Sequence, residues 1–350
     1  MIELILLIYA LLLIGPYIVS RNSKSDNRPI DLINIIVPYR NESHYLATFC
    51  ESLKISLQKV SIPCEIYFID DHSDDDSTTI IQSCFSAKNV HFIVNQSQGK
   101  KEALSQVFNL IKNGAVIQLD ADLELDKNCI FNHLEALENG SYYNSGIVKY
   151  NENNTGFINA FQILENVALM GLTRNTFMIN APLMSNAGNS SFVLDEEIDL
   201  NKSFASGDDV FNLYSHVSKG RKVEFVSSKV SCEPVFTWRE MFQQRIRWIS
   251  KTNGVKNWKY QFLGILFIVV NVIQLIATLM MFENAIFFNY LIVKCFTDLI
   301  FLMLTNKVIG YNKKWLVFFP FVYIIYPFYI FILILSKPFV RLNWKGRRVV

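Results

Sequence analysis

Four long apolar blocks bracket one stretch of ordinary composition, and that pattern ties the chain to a membrane. Residues 1–19 carry one charge, Glu3. Residues 262–281 carry none. Residues 285–304 carry Lys294 and Asp298, and residues 315–336 carry none but contain Pro320 and Pro327. Each block is close to the ~20 residues that a helix needs to cross a hydrocarbon core. One such block alone could be a buried core helix; three after Tyr260 argue against that reading. Composition agrees, with 51% hydrophobic and only 18% charged residues, where an ordinary globular chain has about 25% charged. Low charge with 28 Phe and 15 Tyr excludes a disordered chain. A net charge of +2 is too small to point to nucleic acid as a partner. The six cysteines form no Cys-x-x-Cys pair, which excludes a disulfide scaffold and a zinc ribbon and fits thiols kept reduced in cytoplasm.

These blocks divide the chain into an N-terminal membrane anchor (1–20), one domain of soluble composition (31–258), C-terminal membrane helices (262–336) and a basic tail (337–350). The first block has a long apolar run, no preceding basic residue and no small-residue cleavage site, so it reads as a retained anchor rather than a signal peptide. Lys and Arg near the spans set orientation. Arg21, Lys24 and Arg28 follow the first block, and Arg239, Arg245, Arg247, Lys251, Lys256 and Lys259 precede the second. The central domain is therefore expected on the cytoplasmic side, with the inner membrane of a bacterium as the expected location. Lys307, Lys313 and Lys314 place the loop before the last block inside as well. The basic tail with Lys337, Arg341, Lys345, Arg347 and Arg348 then conflicts with a full last span, so one block is expected not to cross. The last, with its two prolines, could be re-entrant or interfacial. Lys294 and Asp298 are four apart and share a helix face. They can pair, either as a structural ion pair or as a polar contact for a lipid-linked head group.

The central domain reads as α/β. Residues 33–38 form an apolar run that stops at Pro38. Residues 43–58 have helical spacing, with Leu46, Phe49, Leu53 and Leu57 on one face. Strand-like runs follow at 65–70, 91–94 and 116–119, separated by helical segments at 76–85 and 99–112. Strands alternating with helices predict a mostly parallel sheet covered by helices on both faces. Ligands of such sheets bind beyond the carboxyl ends of the strands. Those ends are acidic here. The first is followed by Pro38-Tyr39-Arg40-Asn41-Glu42, the second by Asp70-Asp71-His72-Ser73-Asp74-Asp75-Asp76, and the fourth by Asp120-Ala121-Asp122.

Carboxylates gathered at one edge repel, so the fold needs a cation or hydrogen-bond donors there. A hard divalent ion such as Mg²⁺ or Mn²⁺ would serve, and such ions bridge carboxylates to phosphate oxygens. An isolated Asp-x-Asp proves little: with 15 Asp in the chain, chance gives about 0.6 such pairs. Asp74–Asp76 is explained as well by helix capping. Capping does not explain Asp71 together with Asp120 and Asp122. Gly99-Lys100-Lys101 opens a helix where N–H groups and lysines could meet phosphate, although alone it reads as a solvated helix start. Further on come Ser206-Gly207-Asp208-Asp209, which could be another helix cap, and Gln244-Arg245-Ile246-Arg247-Trp248, which alone could be a basic amphipathic lead into the membrane.

In this order the pieces resemble the family-2 glycosyltransferases of GT-A fold. The matches are Val37-Pro38-Tyr39-Arg40-Asn41-Glu42, Asp70-Asp71-x-Ser73, Gly99-Lys100, Asp120-x-Asp122, Gly207-Asp208-Asp209 and Gln244-x-x-Arg247-Trp248, across residues 31–258. The anchor, the later membrane helices and the ending Asn343-Trp344-Lys345-Gly346-Arg347 are similar to the membrane-bound branch that holds ceramide glucosyltransferase and the hyaluronan and cellulose synthases. The resemblance implies that Asp71 holds the nucleotide base with Tyr39 and Lys100 nearby, Pro38, Glu42 and Asp70 belonging to the same nucleotide-sugar site. It implies that Asp120 and Asp122 bind the diphosphate and its metal, that Asp209 is the general base with Asp208 beside it, and that Gln244, Arg247 and Trp248 lie near diphosphate and acceptor. Gly188-Asn189 falls where the family carries an acceptor-side segment.

The implied reaction is sugar transfer with inversion from a nucleotide-diphosphate sugar, a UDP-sugar first, to a lipid or lipid-linked hydroxyl at the membrane, in the making of a cell-envelope glycoconjugate. A cation and Arg247 would neutralise the leaving diphosphate, and one carboxylate would take the acceptor proton. One base opposite one leaving group implies inversion by analogy with inverting glycosidases. Two alternatives are a processive polysaccharide synthase, for which the spans are few, and an inactive membrane scaffold, against which every expected acidic residue is present.

Overall fold

The elements of this computed structural model run in chain order as α1 (Ile2–Ile18), β1 (Ile33–Tyr39), α2 (Ser43–Leu57), β2 (Cys64–Asp70), α3 (Ser77–Cys84), β3 (Val90–Val94), α4 (Lys100–Phe108), β4 (Ala115–Leu119), β5 (Glu124–Leu125), α5 (Cys129–Glu138), β6 (Tyr143–Tyr150), α6 (Phe157–Met178), β7 (Asn189–Val193), α7 (Asp208–Ser218), β8 (Val223–Cys232), α8 (Trp238–Ser250), α9 (Trp258–Met280), α10 (Ala285–Ile309), a 3-10 segment (Lys313–Phe318), α11 (Phe319–Ser336), β9 (Leu342–Trp344) and β10 (Arg347–Val349). The structure describes residues 2–19, 26–194, 198, 200, 207–250, 254–255, 257–337, 339–340, 342–344 and 347–349. Arg21, Lys24, Ser206, Lys251, Lys256, Arg341, Lys345 and Gly346, which figure in the expectations above, lie outside the described residues. The chain forms two compact units, Ser23–Lys149 with Met184–Glu233, and Met1–Asn22 with Tyr150–Leu183 and Pro234–Val350.

The first unit is built on an eight-stranded sheet in the order β3-β2-β1-β4-β7-β6-β8-β5. Strands β3, β2, β1 and β4 are parallel, as the alternating pattern predicts. The other half is different: β7 pairs antiparallel with β4 and with β6, and β5 antiparallel with β8. The core joins β1, β2 and β4 to the apolar face of α2, where Leu46, Phe49 and Leu53 are fully buried and each contributes about 1.5–3 kcal/mol.

Strand β1 continues one residue past Pro38, and the register explains how a central strand tolerates proline. Its odd residues face β2: the Ile33 N–H donates to the Pro63 carbonyl, and the Tyr39 carbonyl accepts from Asp71. Its even residues face β4, where Leu32 accepts from Ala115. Pairing with β4 ends at Ile36 opposite Gln118, while pairing with β2 runs on to Tyr39 opposite Asp70. The N–H that Pro38 lacks would thus point past the end of a ladder. After β1 the chain goes to β2 and β3 and returns to β4 on the other side, so the sheet parts at its topological switch point, where ligands of α/β sheets bind.

The second unit is helical. Among the described residues, α9, α10 and Lys313–Ser336 are long and apolar enough to cross a membrane, and α1, at 17 residues, is shorter. By these helices the chain is a membrane protein. Helix α6, which the apolar pattern did not signal, is almost wholly buried in this unit. Pro16 lies inside α1 and has no N–H, which deprives the Leu12 carbonyl of its partner along the helix. The Asn175 amide of α6 replaces it, donating to Leu12 at 3.2 Å and to Leu13 at 2.7 Å. Lys294 and Asp298 do pair, at 2.5 Å. The Tyr9 hydroxyl donates to the second Asp298 oxygen at 2.8 Å, and the rings of Tyr9 and Tyr323 each lie 5.3 Å from the Lys294 ammonium. The pair therefore links α1, α10 and α11.

Replacing Asn175 with Leu should leave a buried carbonyl unpaired and destabilise the helical unit by about 1–3 kcal/mol. Pro16→Ala restores the helical N–H, so the cost of Asn175→Leu should shrink in that background. A double-mutant cycle of unfolding in detergent checks this; equal costs in both backgrounds would disprove the link.

Candidate active site

Three elements of the sheet unit bring charged side chains together beside the parting of β1 and β4. Asp120 and Gln118 come from β4 and its end, Lys100 from the first turn of α4, and Asp208 from the first turn of α7. The Lys100 ammonium lies 2.6 Å from Asp120 Oδ1 and 3.5 Å from Asp208 Oδ2. Gln118 Nε2 donates to Asp208 Oδ2 at 2.9 Å and to the Ala187 carbonyl at 3.1 Å. Burial pulls the Lys100 pKa down, but Asp120 and Asp208 outweigh it and hold the group above the ordinary lysine range. Gln118 was not singled out by the sequence reading. Its signal was a single polar residue in the otherwise apolar run Ala-Val-Ile-Gln-Leu.

The resemblance assigned Asp71 to the nucleotide base. Its side chain is buried, and Oδ1 accepts from Asn95 Nδ2 and from the Gly99 N–H, both at 2.8 Å. Gly99 has φ +100°, which favours glycine, at the mouth of α4. Asp71 thus positions the turn that presents Lys100. Asp70 is turned into its own loop, accepting from the Ser73 N–H at 2.8 Å and from the Thr78 hydroxyl at 3.5 Å. Pro38 and Tyr39 are buried in β1, and the Tyr39 hydroxyl is 3.0 Å from that of Thr78. Burial raises the Tyr39 phenol to about 12, leaving it neutral. Glu42 stands at the N-cap position of α2, and its N–H donates to Ser77 Oγ at 2.8 Å. Asp209 follows Asp208 in α7 and is buried; its carbonyl accepts from the Tyr143 hydroxyl at 3.3 Å. Asp122 is exposed just beyond β4.

Gly188 and Asn189 have different tasks. A Cβ on Gly188 would lie 2.7 Å from Asp120 Oδ2, so glycine leaves room for that carboxylate. Asn189 is fully buried. Its Nδ2 donates to the Ile147 and Ser228 carbonyls at 3.0 Å each, which turns Oδ1 toward His133 Nε2 at 2.7 Å. His133 therefore carries its proton on Nε2 and accepts on Nδ1 from the Ser191 hydroxyl at 2.9 Å. Burial lowers the His133 pKa to about 4, against a smaller raising effect of the Asn189 hydrogen bond.

Gln244, Arg247 and Trp248 belong to the helical unit and lie half-buried along α8. Arg245 between them is buried, with its guanidinium on Glu165 of α6 and above the Trp248 ring.

Whether a divalent ion fits can be judged from the donors. Among the described residues no group of three or more His, Cys, Asp or Glu could hold a metal. Asp120 and Asp122 offer hard carboxylate oxygens two residues apart just beyond the end of β4. Two carboxylates suit an ion such as Mg²⁺ that keeps its remaining positions for water and substrate phosphate. Asp120 Oδ1 is engaged by Lys100, and the two carboxylates match such an ion in donor type.

Residues 34–193 match the family model of Glycosyl transferase family 2. An undecaprenyl-phosphate 4-deoxy-4-formamido-L-arabinose transferase of Yersinia pestis (strain Pestoides F) is 29% identical over 101 residues, 28% of this chain and 31% of that protein. The counterpart from Yersinia pseudotuberculosis (serotype O:3, strain YPIII) matches to the same extent. The chain thus spans about a third of the length of these curated relatives. A mannosyltransferase from Pyrobaculum calidifontis, solved in complex with GDP-Man and Mn²⁺, superposes with a TM-score of 0.54 at 11% identity, covering 97% of this chain and 96% of that one. This likeness shows a shared fold. Residues 34–193 therefore resemble a family-2 glycosyltransferase domain, in line with the motifs that fall within that segment.

Gly188→Ala should crowd the Asp120 side chain from Cβ to Oδ2 and strain the contact of its carboxylate with Lys100. The misfit should cost about 1–3 kcal/mol, read as a lower unfolding midpoint; an unchanged midpoint would exclude the crowding.

The His133 pKa gives a second test. Below about 6.5 the unfolded state takes up a proton that the folded state refuses until about 4. The stabilisation is complete above the first value and is lost as pH falls toward the second, about 3 kcal/mol in all. His133→Gln should flatten that part of the stability curve, as read from unfolding between pH 4 and 7.

Proposed function

We propose that this chain is a membrane-bound inverting glycosyltransferase that moves a sugar from a nucleotide-diphosphate sugar to a lipid or lipid-linked acceptor. The donor taken first is a UDP-sugar, and the catalytic domain is read as cytoplasmic. The observation that carries the proposal is the cluster of Lys100, Asp120 and Asp208 at the carboxyl edge of the parallel strands; Lys100 and Asp120 lie inside the segment that matches the family, and Asp208 follows it in sequence. The lipid-linked acceptor is supported by the apolar helices and by the undecaprenyl-phosphate transferases to which the chain is similar.

Asp120 and Asp122 would hold a divalent cation, Mg²⁺ or Mn²⁺, which when bound neutralises the diphosphate and improves it as a leaving group. Lys100 supplies a fixed positive charge beside them. Asp71 and the loop it fixes are assigned to the nucleotide base. The acceptor oxygen attacks the anomeric carbon from the side opposite the diphosphate. A carbon–oxygen bond to the acceptor forms as the bond to the diphosphate breaks, the acceptor proton passes to a carboxylate, and the nucleoside diphosphate leaves with the bonding electrons. Asp209 is the assigned base. Asp208 is engaged by the Lys100 ammonium and the Gln118 amide, contacts that suit a holding role at the edge of the sheet. For Gln244, Arg247 and Trp248 we keep the contact with diphosphate and acceptor that their motif implies.

Asp122→Asn should abolish transfer and weaken metal-dependent nucleotide binding in a folded protein. Asp209→Asn should slow transfer by about 10²–10⁴ while keeping donor affinity. Released nucleotide measured across a panel of nucleotide sugars, with lipid acceptor, reads both. If Asp208→Asn is the inactive variant and Asp209→Asn is not, the base is the other member of the pair. If no nucleotide sugar is consumed, the proposal fails.

A further inference from the structure

The helical unit contains a buried ion pair that no step above uses. Arg245 Nε and Nη2 donate to Glu165 Oε2 at 2.9 and 2.7 Å, and both residues are under 5% exposed. The same guanidinium lies 4.4 Å above the Trp248 ring and donates through Nη1 to Gln244 Oε1. One planar cation therefore touches two of the three residues of the Gln-x-x-Arg-Trp motif and ties them to α6. A turn earlier on α6, Gln162 grips the segment that leads into α8. Its Nε2 donates to the Val235 carbonyl at 2.9 Å, and its Oε1 accepts the Val235 N–H at 3.2 Å. Burial opposes the charge on Arg245, but Glu165 more than compensates.

A buried ion pair is a weak source of stability, since desolvation offsets most of the attraction. It is a strong source of geometry, because an unpaired charge at this depth is costly. The fork of arginine is also what this site requires. Two nitrogens face Glu165, a third faces Gln244, and the flat face covers Trp248. A lysine could keep the charge pair but not the other two contacts.

We propose that Arg245 and Glu165 are positioning residues for glycosyl transfer, holding Gln244 and Trp248 in their working geometry from α6. This inference rests on the role given above to that motif. The experiment compares Arg245→Lys with Trp248→Ala in the full-length protein in detergent. It measures kcat and KM for transfer to lipid acceptor, nucleotide affinity by calorimetry, and thermal unfolding. Arg245→Lys should keep the fold and bind nucleotide within about twofold, yet lower kcat for transfer by about ten- to a hundredfold. Normal kcat in Arg245→Lys with low kcat in Trp248→Ala would overturn the positioning role alone. Normal kcat in Trp248→Ala would overturn the reading of the motif on which it rests. If Arg245→Lys fails to fold, Glu165→Asp replaces it, since it keeps the charge pair but shortens the arm and draws the guanidinium away from Gln244 and Trp248. It should lower kcat in the folded fraction; normal kcat per folded molecule would reduce the pair to a structural one and end the proposal.

Discussion

Asp120 and Asp208 reach the same edge of the sheet from β4 and α7, and two carboxylates there repel unless a cation lies between them. The Lys100 ammonium, within 3.5 Å of both, meets that requirement. Much of the local architecture serves to place it. Asp71 accepts the Gly99 N–H and so fixes the turn from which α4 begins, Gln118 holds the other carboxylate from the strand, and Gly188 leaves space behind Asp120. The parting of β1 and β4 beyond Ile36 opens the sheet next to these groups. A proline that would disturb an intact ladder sits where the ladder has already ended.

The parallel half of the sheet was legible in the sequence because β1, β2 and β4 are apolar runs bounded by turn residues. The antiparallel half was not. Strand β6 contains Asn144 and Ser145, and β7 begins Asn189-Ser190-Ser191, all buried. Their burial depends on hydrogen bonds among Asn189, His133, Ser191 and Ser228, which come from three separate stretches of chain. No periodicity rule detects a buried strand whose side chains are polar. Helix α6 was missed for a related reason, since Asn159, Gln162, Glu165, Asn166 and Asn175 interrupt its apolar pattern yet are buried.

The candidate site was legible as a set of motifs but not as a set of contacts. Asp71, Lys100, Asp120 and Asp208 were all singled out. That Lys100 bridges two of the acids, and that Asp71 is directed at the α4 turn, required the fold. The Arg245–Glu165 pair spans 80 residues of sequence and could not be read from either segment. Asp70 illustrates the reverse case: its place in the motif suggested a ligand role, and its side chain is occupied with the backbone of its own loop.

The polar residues of α6 divide its length between two tasks. Toward its N-terminal end, Gln162 and Glu165 hold the segment that carries α8. Toward its C-terminal end, Asn175 completes the hydrogen bonding that Pro16 interrupts in α1, and Gly171 lies so close to Thr305 and Phe301 of α10 that a Cβ there would meet Thr305 Oγ1 at 2.3 Å. An apolar helix could pack as tightly but could not supply an amide to an orphaned carbonyl or a carboxylate to a buried guanidinium. Buried polar groups fix one arrangement of partners because each alternative leaves some group unsatisfied. For α8, whose motif residues would have to meet a substrate in one orientation, that constraint on geometry matters more than the small net stability such contacts provide.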